Sequence, residues 1–325
     1  MQNPFRDSMI VIGTAAATAA VIGVVLLAVR PSGVQAPAGA YRAPRIPGAN
    51  TPDLHGIWQA LNSANWNLEG HEARAAWVLQ PGVPNGGPVP AAPVLALGAA
   101  GGIPGGLSVV EGGEIPYKPD ALKTRKENFD SAIERDPEVK CLLPGVPRAT
   151  YLPYPFEIIQ GTNEIMIVYG YSNAGRTLHM RQVDDPGIDS WMGHSVGKWE
   201  GDTLVVDVTN LNGGTWFDRA GNFHSDALHV TERYTPIDAH HLMYEATIED
   251  PNVFTRPWKI RMPLYRRVED HAQVFEYRCV EMVEELIYGH LRKQQLVKHW
   301  DADYGRRGGT LVVDIKRNPT RQEDQ

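Results

Sequence analysis

An uncharged stretch of 21 residues, Met9–Val29 (MIVIGTAAATAAVIGVVLLAV), limits where the rest of this chain can reside. At about 1.5 Å rise per residue a helix of that length spans about 30 Å, the thickness of a bilayer's hydrocarbon core. It is longer than the apolar core of a cleaved secretory signal, about 7 to 15 residues. The nearby small-residue sites fit cleavage poorly. Pro37 directly follows Val34-Gln35-Ala36, and Ala38-Gly39-Ala40 lies well past the apolar run. The segment therefore reads as a retained single-pass anchor in the lipid bilayer. Arg6 flanks it on one side and Arg30, Arg42 and Arg45 on the other, a bias that alone favours the reverse orientation. Long domains translocate largely regardless of charge. The expected layout is a short cytoplasmic tail over 1–8, the anchor over 9–29, and the main domain outside the cytoplasm.

The remainder can form a cored body, with 42% hydrophobic and 21% charged residues in 325 and a formal net charge of -7. An acidic balance without a basic patch argues against a nucleic-acid partner. The two cysteines, Cys141 and Cys279, exclude a cysteine metal cluster and C-x-x-C-H haem attachment. In an oxidising compartment they can form one disulfide, and two separately buried thiols are the other reading.

Residues 30–52, rich in Pro, Ala and Gly, read as an extended tether, and a β-rich domain is expected over 53–325. Asp53-Leu54-His55-Gly56-Ile57-Trp58 is expected to enter it as a strand with Leu54 and Trp58 turned to the core. Pro81–Pro119 carries too many Gly and Pro residues for a regular element. Its Val94, Leu95, Leu97 and Val109 predict that it lies against its own domain or another subunit. Pro119–Arg135 reads as a helix capped by Asp120, with Leu122, Lys126, Phe129 and Ile133 along one side. Strands are expected at Phe156–Gln160, Ile165–Tyr171, Thr177–Arg181, His194–Glu200, Thr203–Thr209, Ala227–Tyr234, Leu242–Glu249, Trp258–Tyr265 and Val274–Glu281. Short Gly- and Asn-containing turns between them predict antiparallel pairing in a meander. So many strands hide their edges only by closure or by sheet packing. The expected fold is mainly β, an antiparallel meander closed as a barrel or sandwich, with one N-terminal transmembrane helix and a few peripheral helices. Gly201–Val208 (GDTLVVDV) recurs as Gly309–Ile315 (GTLVVDI), and Met282–Val297 is a further helix candidate with Glu284, Glu285, Arg292 and Lys293 exposed.

The strings CLLPGVPRATYLPYPFEIIQ, DSWMGHSVGKWEGDTLVVDVTNLNGGTWFDRAGNFHSDALHVTERY, YEATIEDPNVFTRPW and EYRCVEMVEELIYGH resemble a large family of secreted bacterial proteins. The resemblance covers about half of the chain. It implies a β-rich domain outside the cytoplasm, here the periplasmic side of a bacterial inner membrane, and brings no established reaction or site residues. The anchor departs from the ordinary secretory signals of that family and points to recruitment into a membrane assembly. More loosely, an anchor joined to such a domain is similar to accessory subunits of photosynthetic reaction-centre light-harvesting complexes.

Chemistry concentrates in Trp216–Asp226 (WFDRAGNFHSD). If that segment is extended, His224 and Asp226 share a face with Glu232 farther along, and His229 faces away. His224 as a general base oriented by Asp226, with Asp218 and Arg219 at a barrel mouth, is one reading. The other has Asp218 paired with Arg219 and Asp226 capping a turn. The other histidines, His179, His194, His240 and His241, lack ligand spacing, so neither a metal nor a cofactor is expected. Gly193-His194-Ser195-Val196-Gly197 matches G-x-S-x-G, but its surroundings read as a hairpin and not as a strand-turn-helix elbow. Tyr151, Tyr154, Phe156, Trp191, Trp199, Trp216 and Trp258 can line a pocket or fill a core, the commoner use being core. Two functions follow: a non-catalytic, membrane-anchored subunit docked on a membrane protein complex, or a small-molecule enzyme or binder around His224 and Asp226.

Overall fold

The computed structural model describes residues 41–75, 77–79, 88–90, 102–275 and 277–281, and those from Arg42 onward belong to one compact unit. The expected anchor, the Met282–Val297 helix and the Gly309–Ile315 echo lie outside the described residues. Among the described residues, no helix is long and apolar enough to cross a membrane.

Alternation of apolar and polar residues builds the core of the unit. In β11 (His229–Pro236) and β12 (His241–Glu249) every second residue is buried, the period of a strand with one face inward. Together with β1 (Gly56–Ala60), β6 (Phe156–Gln160), β7 (Glu164–Tyr169), β8 (Gly175–His179), β9 (His194–Glu200), β10 (Thr203–Thr209) and β13 (Trp258–Arg266) they form a closed barrel. β1 closes it, pairing with β13 on one side and β6 on the other. Leu54 and Trp58 are buried as expected.

The meander is broken once. Residues 180–193 carry the chain back to the end where β8 began, so β9 runs parallel to β8, paired at Leu178↔Ser195 and His179↔Val196. Val274–Glu281 is not a strand in its described residues. Tyr277 instead bridges Tyr171 and Cys279 is bonded to Cys141, so this segment is a strap on the barrel's outside.

Pro81–Pro119 contains more regular structure than its Gly and Pro content predicts. β3 (Trp77–Leu79) pairs with β4 (Pro88–Pro90), and β2 (Arg74–Ala75) pairs with β5 (Gly102–Ile103). Its last part lies on its own domain: Glu111 N–H donates to Lys259 O at 2.9 Å and Lys118 N–H to Val253 O at 2.9 Å. Val110, Ile115 and Tyr117 are buried there. Val94, Leu95 and Leu97 lie outside the described residues. On the opposite end, Gln160 donates to Pro52 O at 2.9 Å and accepts from Leu54 N–H at 3.0 Å, so the ordered chain already begins before Asp53.

The expected single helix is two. α1 (Pro119–Asp130) is followed, after Ser131, by α2 (Ala132–Arg135). Lys118 occupies the N-cap without a side-chain bond, and Asp120 sits in the first turn, where its charge favours the helix dipole. The helix turns Ala121 and Asn128 inward and leaves Leu122 47% exposed. Gly221 explains the choice of face. At φ 80° its backbone lies so close that a Cβ there would stand 2.7 Å from Phe129 N. A short third helix, α3 (Arg148–Tyr151), is fully buried.

Candidate functional site

The loop between β10 and β11 holds Asp218, Arg219, His224 and Asp226, while Glu232 lies in β11; all but the exposed Asp226 are engaged in the fold. Asp218 is fully buried. Its Oδ2 accepts from Leu68 N–H at 2.8 Å and Asn222 Nδ2 at 2.6 Å, and its Oδ1 from Ala220 N–H at 2.9 Å and Asn222 N–H at 3.2 Å. Burial pushes its carboxyl up to about 6, against the pull of these N–H donors.

Arg219 turns away from Asp218. It lies over the Trp66 ring at 4.4 Å and donates to both Glu138 oxygens, at 2.8 and 2.9 Å. Arg148, 1% exposed, donates to Asp136 at 2.9 and 3.2 Å, to Glu138 at 2.6 Å and to Asn65 at 3.0 Å. Burial of Glu138 would raise its pKa, but Arg219 and Arg148 outweigh it and bring the carboxyl down to about 2. This is a buried ion network stitching α3 and the segment before it to the loop. Tyr151, also in α3, donates to Phe217 O at 2.8 Å.

His224 is 3% exposed. Its Nδ1–H donates to Ser225 O at 2.8 Å, which leaves Nε2 to accept the Thr215 hydroxyl at 2.5 Å. Burial holds its pKa below the usual histidine range, as a neutral ring requires. Asp226 is exposed and meets neither nitrogen. The extended geometry that would align the pair does not form. Asp250 accepts from Ser225 N–H at 2.6 Å and Ser225 Oγ at 3.0 Å, bending the chain into a turn, and the strand starts only at His229. His229 points outward to Asp207 at 2.6 Å.

Glu232 faces the barrel interior. Its Oε2 lies 2.7 Å from Arg176 Nη2, close but not aligned as a hydrogen bond. Its Oε1 accepts from Tyr234 at 3.0 Å and Tyr244 at 2.7 Å. Arg176 also donates to Tyr169 and Tyr234, at 3.1 and 3.0 Å. The sequence reading missed this network, although its parity was readable: Glu232 sits between buried Val230 and Tyr234, and Arg176 shares the face of buried Leu178.

The remaining candidates are placed as follows. Ser195 lies within β9, 2% exposed, with Arg176 Nη1 3.5 Å from its hydroxyl. Tyr151, Phe156 and Trp258 belong to the core, Trp216 is buried, and Trp191 and Trp199 pack against the core. Tyr154 stacks on Tyr277 with centroids 4.4 Å apart. The His179 and His194 rings lie 5.5 Å apart, and among the described residues no group of three or more His, Cys, Asp or Glu side chains is arranged to hold a metal.

A cleft of about 570 Å³ opens between α1 and Asn67–Ala73, lined by Asn67, His71, Leu122, Arg125, Lys126 and Phe129. Three of its polar rim residues are already engaged, and Glu72 is exposed beside them. Arg125 bonds Glu69 at 2.6 Å, Lys126 bonds Asp130, and the His71 nitrogens meet Glu69 O and Pro104 O at 2.9 and 3.0 Å. Comparison with protein-family models and with curated proteins found no match for the chain.

Proposed function

We propose that this chain is a non-catalytic, membrane-anchored subunit whose β-barrel, on the periplasmic side of a bacterial inner membrane, docks on and stabilises a membrane protein complex. A photosynthetic reaction-centre light-harvesting complex is the first kind of partner to test. The observation that carries the reading is that most of the expected chemistry, all but the exposed Asp226, is used in holding the fold. Asp218, Arg219, His224 and Glu232 each spend their polar atoms on internal partners, and three of the four are at most 3% exposed. A general base needs reach to the proton that it removes. The reading of an enzyme or ligand binder at His224 and Asp226 draws no support from this geometry. Met9–Val29 supplies the membrane half of the proposal, on apolar length alone.

The test is extraction of native membranes in mild detergent, with mass spectrometry of the co-migrating proteins and of this chain's own N-terminus. A stoichiometric complex containing the chain with Met9–Val29 retained is expected. A free chain processed beyond Val29 would overturn the proposal and return attention to ligand screening.

A further inference from the structure

Beyond β13 the chain folds back over the barrel as a strap, described at residues 267–275 and 277–281. At its start Arg267 N–H donates to Ile57 O at 2.8 Å. At its far end Tyr277 N–H donates to Gly170 O at 3.1 Å and Ser172 N–H to Tyr277 O at 3.2 Å. The Tyr277 ring packs on Tyr154 at 4.4 Å and Tyr171 at 5.8 Å, and Cys279 is joined to Cys141 two residues later. Most of the strap is solvent-exposed, including Val268 at 66% and Phe275 at 72%. Both cysteines are only partly buried, so a reductant can reach the bond. The segment carrying Cys141 also carries Asp136 and Glu138, and the strap touches it: Cys279 Sγ lies 3.9 Å from Glu138 O, the carbonyl that also accepts from the Tyr171 hydroxyl at 2.8 Å.

We infer that the Cys141–Cys279 disulfide is a redox-operated clasp, whose reduction frees the strap while the barrel stays folded. The energetics favour local release. Ordering a strap of this length costs conformational entropy at every residue, whereas its backbone bonds, its ring stack and exposed side-chain bonds such as Arg267 to Gln59 return little once water can replace them. The bond ties the strap to the body and reduces that cost. Without it, the strap becomes the low-stability unit of the fold. The barrel strands do not share this dependence, because their ladder is closed without the strap.

The chemistry needs a dithiol reductant. One thiolate attacks one sulfur of the clasp, giving a mixed disulfide. The second thiol of the reductant then displaces it, leaving Cys141 and Cys279 as thiols and the reductant as a disulfide, with two electrons and two protons transferred. Release uncovers Tyr154 and Tyr171.

The experiment is amide hydrogen exchange on the full chain in detergent, oxidised and after treatment with dithiothreitol, with thiol alkylation to count reduced cysteines. In the reduced chain, the amides of Ser172 and Tyr277 are expected to exchange at least about tenfold faster while β10–β12 remain protected. The Cys279→Ser chain should behave as the reduced one without any reductant. The inference is overturned if both cysteines alkylate only together with loss of protection in β10–β12. It is equally overturned if Ser172 and Tyr277 keep their protection in the reduced chain and in Cys279→Ser.

Discussion

His224 and Asp218 sit a few residues apart in one loop, and burial moves them toward each other on the pH scale. His224 is held below its ordinary range, so its contribution to stability is full above about 6.5 and is lost as pH falls through its folded value. Asp218 is raised to about 6, so its contribution is full below about 3.9 and is lost as pH rises through 6. Below 6.5 the two oppose each other, and each masks the other in the intact chain. Replacing His224 with Gln keeps a polar side chain but removes the proton site. Its urea midpoint is therefore expected to rise relative to the parent as pH is lowered from 7 to 5, and an unchanged difference would reject the assignment. Sequence reading found these residues but not their partners. Asp218 is satisfied from Leu68 and Arg219 from Glu138, contacts that span 150 and 81 positions and follow no local pattern.

Strand alternation was the most legible signal. His194–Glu200 and Thr203–Thr209 have the bounds that their residues predict. The direction of β9 was not legible, because residues 180–193 carry no local mark of the side on which they return. Helix α1 shows the same limit differently. Its apolar spacing puts Leu122 and Phe129 along one side, yet the helix buries Ala121 and Asn128, where Gly221 allows backbone contact. Gly221→Ala adds both left-handed strain and a collision with the helix backbone, and is expected to cost on the order of 3 kcal/mol. Gly201, at φ 62° in an open turn with nothing within 4 Å, is the control. Its change to Ala should cost only about 1 kcal/mol of strain. Thermal unfolding of the two variants checks the difference, and equal losses would contradict the packing argument.

The barrel interior holds buried apolar side chains and the Arg176–Glu232 ion pair, which is surrounded by tyrosines. Breaking such a pair is costly, while replacing both partners need not be. Arg176→Met alone should lose about 3–5 kcal/mol by leaving Glu232 buried without its cation. Arg176→Met with Glu232→Leu should recover most of that loss in denaturant titrations. A double variant no better than the single one would show that the tyrosines depend on the charges. The closed barrel and the ion network around Glu138 and Arg148 form the body that the docking proposal takes as a surface. The most direct measurement is the dissociation temperature of the isolated partner complex, stripped of this chain and then reconstituted with it. A higher temperature is expected for the reconstituted complex, and the same rise when the added chain carries His224→Gln. Equal temperatures with and without the chain would contradict the docking proposal.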